Sequence, residues 1–254
     1  MSLIETARTP IWIADGRRPG AESPVVLLVH GAAASRLDWS ADMRHLRAGV
    51  IAVDLPGHGK SPPPGRSTIA DYATDLIALL DALHIDKAVL IGHSMGGAIV
   101  MQMALDHAAR VSGIVLIGTG AKLPIHPDIM SNAILNPGRV ARMITQWSWA
   151  NGADEAKHQQ SYDAIMATSP KVMHGDFVAC AGFDARPRLA EIRVPTLVIG
   201  AEQDQMMPAK FSQYLHDNIT GSSLVMVEKA GHKLILERSE VVAQVVQNWL
   251  DQIA

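Results

Sequence analysis

Residues 88–105 read AVLIGHSMGGAIVMQMAL and carry the clearest structural signal in the sequence. Its first four residues are apolar, as in a strand buried on both faces, and an apolar helical pattern starts after Gly97. Between them, Gly92-His93-Ser94-Met95-Gly96 matches Gly-x-Ser-x-Gly. In this pattern a strand turns abruptly into a helix, and the glycines relieve crowding around a strained serine with an exposed hydroxyl. The stretch therefore predicts a strand, a tight turn at Ser94 and a buried helix.

Short apolar runs alternate with helical patterns on both sides of this stretch. A hairpin is predicted at residues 2–14, and further strands at residues 25–29, 50–53, 88–91, 114–117, 196–199 and 224–227. Helices are predicted from Thr68, which forms a capping-box-like pair with Asp71, and from Ser239. Strands that alternate with helices form a parallel sheet covered by helices on both faces.

The alternation stops between residues 121 and 188. Helical faces are predicted there at residues 140–147, 162–166 and 172–177, with Pro137-Gly138, Asn151-Gly152 and Ser169-Pro170 as separators. We interpret this segment as an all-helical insertion between two strands. The predicted organisation is an α/β core of residues 1–120 and 189–254 with a helical insertion at residues 121–188.

Three residues are candidates for a catalytic triad. A serine hydroxyl such as that of Ser94 is a weak nucleophile until a base removes its proton. His232 is the candidate base, because it follows the last predicted strand at the edge of the sheet where Ser94 also lies. Asp204 follows the preceding strand and is the candidate carboxylate that orients His232, with Glu202 as its local rival. His93, beside the nucleophile, is expected to point away.

Several motifs, in the expected order, resemble those of the α/β-hydrolase superfamily over nearly the whole chain. They are the Gly-x-Ser-x-Gly turn, His30-Gly31-Ala32 after the predicted third strand, DLPGHGKS at residues 54–61, and Gly231-His232 followed by Glu237. The order Ser94, Asp204, His232 is also that of the family. The resemblance implies the α/β-hydrolase fold: a mostly parallel eight-stranded sheet, helices on both faces and a helical cap at residues 121–188.

The resemblance also implies roles for residues outside the triad. The backbone amides of Ala32 and Met95 are expected to form an oxyanion hole, worth about 3 kcal/mol per donor. The side chains of four polar residues are expected to hold loops in shape rather than to take part in the reaction. These residues are His30, Asp54, His58 and Ser61.

The leading interpretation is hydrolysis of a small-molecule carboxylic ester with a short-to-medium acyl chain, through an acyl-enzyme intermediate. Serine at position 94 argues against epoxide hydrolases and haloalkane dehalogenases, which need an aspartate there. Thioesterases, C–C bond hydrolases, perhydrolases and acyltransferases share the triad, and ligand receptors on this fold retain it, so these alternatives stay open. Met143, Trp147, Trp149 and Met166 are candidates to line the substrate pocket, although their helical spacing serves packing equally well.

Composition also predicts the partners, cellular location and cofactors of the protein. A net charge of −3 and no basic run predict no binding to nucleic acid or to anionic membranes. A single cysteine, Cys180, and no apolar signal-like segment at the N-terminus favour a cytoplasmic location. No metal-binding motif and no glycine-rich phosphate loop occur, so neither a metal nor a cofactor is expected. The oligomeric state is left open.

Overall fold

The structure, a computed structural model, describes residues 1–17 and 24–253. At its centre lies an eight-stranded sheet in the order β1-β2-β4-β3-β5-β6-β7-β8. The strands are β1 (Ser2–Ile4), β2 (Ile11–Asp15), β3 (Val25–Val29), β4 (Gly49–Asp54), β5 (Ala88–His93), β6 (Val111–Ile117), β7 (Thr196–Ala201) and β8 (Ser223–Val227). Every apolar run that predicted a strand lies within one of them, so the predicted strands are confirmed.

The sheet is mostly parallel, as predicted. β1 and β2 form the expected hairpin, and β2 pairs antiparallel with β4. All other neighbouring strands pair in parallel. Every residue of β5 is buried, because helices cover the sheet on both faces.

Among the described residues, six α-helices accompany the strands outside the insertion. They are α1 (Ala41–Arg44), α2 (Ile69–Ala82), α3 (Met95–Asp106), α8 (Ala209–Asn218), α9 (Leu234–Glu237) and α10 (Ser239–Ile253). α2 begins where predicted: the Thr68 hydroxyl accepts the Asp71 N–H at 3.1 Å. None of the helices described is both long and apolar enough to span a bilayer.

Two apolar layers sandwich the sheet, and alternate residues of β3 contribute to one or the other. Leu27 and Val29 join the layer that includes residues of α2 and α3. Val26 and Leu28 join the layer that includes residues of α10. This alternation follows from the two-residue side-chain period of a strand, so one apolar run serves both layers.

Between β6 and β7 the chain forms four helices: α4 (Pro127–Asn132), α5 (Pro137–Ser148), α6 (Glu155–Met166) and α7 (Pro170–Gly182). We call residues 121–188 the cap segment. α4 was not predicted. Pro137 and Pro170 are the first residues of helices rather than separators, because the first helical residue needs no N–H donor. Among its described residues, the only strand-like pairing is an isolated bridge between Lys122 and Asp184.

The parallel strands β3 to β8 end at one edge of the sheet. The loops that carry the predicted site residues and the cap segment all start from that edge. Open α/β sheets bind ligands at this edge, so the candidate site lies where the fold favours one.

Candidate active site

Ser94 lies at the tip of the turn between β5 and α3, in a strained backbone conformation with φ of +54°. Its N–H donates to the Ile117 carbonyl oxygen at 2.9 Å. The turn is closed so tightly that a Cβ on Gly92 would lie 2.2 Å from the Gly96 oxygen, and one on Gly96 would lie 2.1 Å from the Val29 oxygen. The glycines of the motif are therefore required by close backbone contacts.

His232 and Asp204 meet on neighbouring loops. His232 Nδ1 donates to Asp204 Oδ2 at 2.8 Å, and both side chains are buried. Asp204 Oδ1 accepts the N–H groups of Met206 and Met207 at 2.9 and 2.7 Å. Burial alone would raise the pKa of Asp204, but His232 and these backbone donors lower it below its ordinary value. An ionised Asp204 keeps the Nδ1 proton in place and leaves His232 Nε2 able to accept one.

Ser94 and His232 line the same cavity. In the described chain, His232 bonds to Asp204 through its ring and to His93 through its carbonyl, and no hydrogen bond joins it to Ser94. Contacts between nucleophile and base are often long before substrate binds. The structure thus places Ser94 and His232 at one cavity, and His232 also contacts Asp204.

The loop after β3 passes directly beside Ser94. A Cβ on Gly31 would lie only 3.1 Å from that of Ser94. His30 Nδ1 donates to the Gly31 oxygen at 2.8 Å, and His30 Nε2 accepts the Leu55 N–H at 3.0 Å. Burial and the nearby His58 lower the pKa of His30 to about 4, in agreement with this neutral form. Ala32 lines the cavity, and we call residues 30–34 the oxyanion loop after the role predicted for Ala32.

Met95 is the first residue of α3, directly after Ser94. An N–H in the first turn of a helix has no acceptor within the helix, so it is available to another group. The amides of Ala32 and Met95 therefore stay the predicted oxyanion-hole donors, and Ala32 and Ser94 line the same cavity.

His93 does not point away from the site, contrary to the prediction. His93 Nε2 donates to the His232 carbonyl oxygen at 2.8 Å, and the two rings lie 4.9 Å apart. Burial, then the neighbouring His232 and Lys233, lower the pKa of His93 to about 3, so the ring is neutral. His93 supports the backbone of the loop that carries His232, because β5 and the His232 loop are close neighbours at this edge.

The cavity that Ser94 and His232 line is small, with a volume of about 50 Å³, and we call it the catalytic cavity after its predicted role. Its apolar wall comes mainly from side chains of the cap segment. These lining residues include Ile144, Ile165, Phe177 and, from the loop after β7, Met206.

None of the four residues predicted to line the substrate pocket lines the cavity beside Ser94. Met143 and Trp147 pack against the apolar cluster formed mainly by the cap segment. Met166 is 38% exposed, and Trp149 lines a second cavity. Their neighbours Ile144, Ser148 and Ile165 line the catalytic cavity instead. The periodicity identified the helices, but one residue is a rotation of 100° about a helix axis, and the larger side chain does not decide which one faces the site.

The second cavity, of about 310 Å³, adjoins the catalytic one. Asp38 and Lys233 line both cavities and form a mostly buried ion pair. Burial would raise the pKa of Asp38, but Lys233 lowers it. The wall also carries polar side chains, among them Ser35, Gln160 and Thr168. Sequence reasoning missed this pair, since its members are 195 residues apart.

Glu237 links the His232 loop to the cap segment. Its two carboxylate oxygens accept the Gly231 N–H at 2.9 Å and the Ala150 N–H at 3.0 Å. The Lys233 N–H donates to the Ser148 oxygen at 2.9 Å. The glutamate of the terminal motif therefore holds the loop of the candidate base against the end of α5.

The loop of residues 54–61 is held by hydrogen bonds of its own side chains, as expected. Ser61 Oγ donates to the Asp54 carbonyl oxygen at 2.6 Å and accepts the Trp12 N–H at 2.7 Å. The Asp54 carboxylate accepts the N–H groups of Arg36 and Lys60, both at 2.9 Å, and pairs with the Arg36 guanidinium. Asp54 and Ser61 thus secure the end of β4.

Asp176 of α7 is a further polar residue that the sequence analysis missed. Its side chain is completely buried, although it belongs to an apolar helix face. A lone carboxylate within such a face is the signal that would have identified it, because an unpartnered buried charge is costly.

The structure also bears on metal binding. Among the described residues, no group of three or more His, Cys, Asp or Glu side chains is arranged to hold a metal ion.

The fold and this arrangement of serine, histidine and aspartate define an α/β hydrolase. Residues 26–245 match the profile of the alpha/beta hydrolase family, and the chain therefore belongs to that family. The fold inferred from the sequence motifs is confirmed.

Curated relatives cover nearly the whole chain. A pimeloyl-[acyl-carrier protein] methyl ester esterase of Neisseria meningitidis serogroup B is 29% identical over 248 residues, covering 89% of this chain and 92% of the relative. A protein of Variovorax paradoxus named as a carbamate hydrolase, RutD, is 30% identical over 250 residues, with coverage of 92% and 94%.

Solved structures of similar shape include a thermophilic esterase from Thermogutta terrifontis, with a TM-score of 0.88 and 26% identity, covering 99% of this chain and 98% of that one. The enol-lactonase from Burkholderia xenovorans LB400 has a TM-score of 0.90 at 22% identity, with coverage of 98% and 100%. At that identity the second likeness concerns the fold alone.

Proposed function

We propose that this protein is a carboxylic ester hydrolase with Ser94 as its nucleophile. The observation that carries the proposal is the shared cavity of Ser94 and His232, together with the 2.8 Å contact between His232 Nδ1 and Asp204. A relative named as an ester hydrolase, aligned over most of the chain, supports this choice of reaction.

In the proposed mechanism, Ser94 Oγ attacks the ester carbonyl carbon while His232 Nε2 takes the hydroxyl proton. The carbonyl oxygen becomes negative and accepts hydrogen bonds from the amides of Ala32 and Met95. The bond to the leaving oxygen then breaks, and the alcohol departs with the proton from His232. Water repeats the sequence on the acyl-Ser94 intermediate and releases the acid. Asp204 stabilises the imidazolium of His232 in both halves.

The cap segment at residues 121–188 is proposed to roof a core of residues 1–120 and 189–254, of which residues 18–23 and 254 lie outside the described structure. Its apolar residues make the catalytic cavity suited to the acyl group. The small volume of this cavity, about 50 Å³, suits a short acyl chain better than a long one. The proposal therefore favours the short end of the expected acyl range.

The leaving alcohol is proposed to occupy the second cavity. It must lie near His232, which returns the proton, and the second cavity begins at Lys233. The Asp38–Lys233 pair presents one acceptor and one donor group, a combination that matches hydroxyl or amide groups. Esters of short acids with polar alcohols are thus the proposed substrate class.

The test is a panel of p-nitrophenyl esters, thioesters, lactones and carbamates assayed with wild type, Ser94→Ala and Ser148→Ala. Ser148 is a matched control, because its hydroxyl also lines the cavity but donates to the Ile144 oxygen at 2.6 Å. We expect turnover of short esters by wild type and Ser148→Ala, and a loss of at least about 1,000-fold in Ser94→Ala. Equal activity in Ser94→Ala, or no ester turnover by wild type, would overturn the proposal.

A further inference from the structure

A buried carboxylate of the cap segment contacts the oxyanion loop. Asp176 Oδ2 accepts the Ala33 N–H at 2.9 Å and a hydrogen bond from His58 Nε2 at 2.8 Å. Its other oxygen, Oδ1, accepts the Tyr72 hydroxyl at 2.7 Å. The carboxylate thus ties three parts of the core to α7.

The hydrogen bonds of His58 define its charge. Nδ1 lies 3.1 Å from the Pro56 carbonyl oxygen and Nε2 lies 2.8 Å from the Asp176 carboxylate. Both neighbours are acceptors, so both ring nitrogens carry a proton and His58 is an imidazolium. Burial would lower the pKa of His58, but the charge and hydrogen bond of Asp176 raise it. Asp176 and His58 therefore form a fully buried ion pair.

The contact with Ala33 matters because of its position next to Ala32. A peptide unit is planar, so a hydrogen bond to either of its ends orients the whole unit. His30 holds the unit between Gly31 and Ala32 through the Gly31 oxygen, and Asp176 holds the next unit through the Ala33 N–H. The two peptide units that flank the Ala32 Cα are thus both fixed by buried side chains.

The backbone at this point needs such support. Ala33 has a φ of +48°, a left-handed conformation that a residue with a Cβ adopts at a cost of about 1 kcal/mol or more. A buried acceptor for the Ala33 N–H offsets that cost in the observed geometry.

We infer that Asp176 is a positioning residue for ester hydrolysis: it holds the Ala32 amide of the oxyanion loop in its working orientation from the cap segment. The inference rests on the proposed function. Phe177, the next residue of α7, lines the catalytic cavity. One helix of the cap segment therefore both shapes the acyl cavity and orients the group that stabilises the reacting oxygen.

A purely structural role makes a different prediction. Replacing both members of a buried ion pair by apolar residues is often neutral or stabilising, whereas removing one member leaves a buried charge and is costly. A variant that removes both charges separates the two roles, because it relieves the unpaired charge and still deprives the Ala33 N–H of its acceptor.

The experiment compares wild type, Ser94→Ala, Asp176→Ala, Asp176→Asn, Tyr72→Phe and the double variant Asp176→Leu/His58→Leu. Each is assayed for kcat and KM on p-nitrophenyl acetate and for inhibition by a trifluoromethyl ketone, which mimics the tetrahedral adduct. Titration of Ser94 with a fluorophosphonate expresses each rate per folded site. Melting temperatures report stability.

We expect kcat to fall at least tenfold in Asp176→Ala with KM within threefold, and ketone affinity to fall in parallel with kcat. Asp176→Asn keeps an acceptor for the Ala33 N–H and should recover most of kcat. Tyr72→Phe removes only the bond to Oδ1, so it should lower stability without lowering kcat more than twofold.

The double variant decides the matter, also if Asp176→Ala does not fold. A melting temperature near that of wild type with kcat still reduced at least tenfold supports the positioning role. Recovery of kcat together with stability would overturn it. If wild type turns over no ester, the proposed function fails and this inference fails with it; if wild type is active and the Asp176 variants keep its kcat, only this inference is wrong.

Discussion

At the scale of single residues, the loop after β7 offers two carboxylates near the candidate base. Asp204 contacts His232, whereas Glu202 lies 3.4 Å from the Lys229 N–H at the surface. We predict that Asp204→Asn lowers kcat for p-nitrophenyl acetate by about 1,000- to 10,000-fold, because the histidine loses its orienting partner. Glu202→Gln should stay within twofold. Equal losses in the two variants would contradict the assignment of Asp204.

The turn that carries Ser94 depends on a glycine at position 96. A Cβ there would lie 2.1 Å from the Val29 carbonyl oxygen, which belongs to the neighbouring strand and cannot move cheaply. We predict that Gly96→Ala costs more than about 4 kcal/mol and lowers the melting temperature by about 8 °C or more.

Gly182, in the last turn of α7, is the matched control, since no atom lies within 4 Å of a Cβ built there. Gly182→Ala should keep the melting temperature within about 2 °C of wild type, or raise it. Similar melting temperatures for the two variants, measured by calorimetry, would mean that the turn is not held as tightly as described.

Two neighbouring residues, Ser94 and His93, show what the sequence could and could not predict. The motif around Ser94 predicted the turn correctly, because its glycines are imposed by local backbone geometry. The direction predicted for the His93 ring is wrong, because the ring bonds to the His232 carbonyl oxygen, 139 residues away. Local patterns determine local conformation, and a side chain in a crowded turn takes the direction set by a distant partner.

At the scale of elements, the strands were easier to predict than the cap helices. A parallel strand buried on both faces needs every residue to be apolar. Its continuous apolar run can therefore be recognised without knowing which residues face which side. A cap helix has one apolar stripe that faces both the cap core and the cavity, so the stripe alone does not tell which residues line the cavity. This is why Ile165 rather than Met166 lines it.

A larger cavity can test which residue of α6, Ile165 or Met166, faces the catalytic cavity. We predict that Ile165→Ala raises kcat/KM for the hexanoate ester relative to the acetate by about 10-fold or more, because the space admits about two further methylenes at about 0.8 kcal/mol each. Met166→Ala, one residue along α6 and 38% exposed, should leave that ratio unchanged. A change of the ratio in Met166→Ala but not in Ile165→Ala would contradict the cavity wall described.

At the scale of the whole molecule, buried histidines make stability depend on pH. His30 and His93 have pKa values of about 4 and about 3, below the 6.5 of an unfolded histidine. Between pH 6.5 and 4 the unfolded chain binds protons that the folded chain does not. The free energy of unfolding should therefore fall with falling pH, by up to about 3 kcal/mol per pH unit for the two together.

The contribution of His58 to stability depends on pH in the opposite direction. Its raised pKa means that its contribution to stability is complete below pH 6.5 and is lost as the pH rises through the raised value. The lowered pKa values of Asp38 and Asp204 affect stability only below about pH 4, since an unfolded aspartate titrates near 3.8. For these five groups, stability should be highest near neutral pH.

Urea unfolding at pH 4.5, 5.5 and 6.5 measures the acid side. His93→Gln keeps a donor for the His232 carbonyl but does not titrate, so it should reduce the slope by about half. A slope that is flat over this range in wild type, or unchanged in His93→Gln, would contradict the account of the buried neutral histidines.

The long-range ties of the molecule are the part that the sequence could not reveal. The Asp38–Lys233 pair and the contact of Asp176 with Ala33 each join residues more than 140 positions apart. Their chemistry is ordinary, and only the fold brings the partners together. The family motifs, by contrast, revealed the core and the candidate triad, because each motif serves a local turn at the same edge of the sheet.

The proposed mechanism requires Ser94 to carry the acyl group during turnover, so trapping that intermediate is a direct test of it. Wild type, Ser94→Ala and Ser148→Ala are mixed with p-nitrophenyl acetate, quenched in acid within milliseconds, and analysed by intact mass and peptide mapping. We predict one acetyl group per chain, on Ser94, in wild type and in Ser148→Ala, and none in Ser94→Ala. Acetylation of Ser94→Ala to the same extent, or ester turnover without any acetyl group on Ser94, would contradict the account.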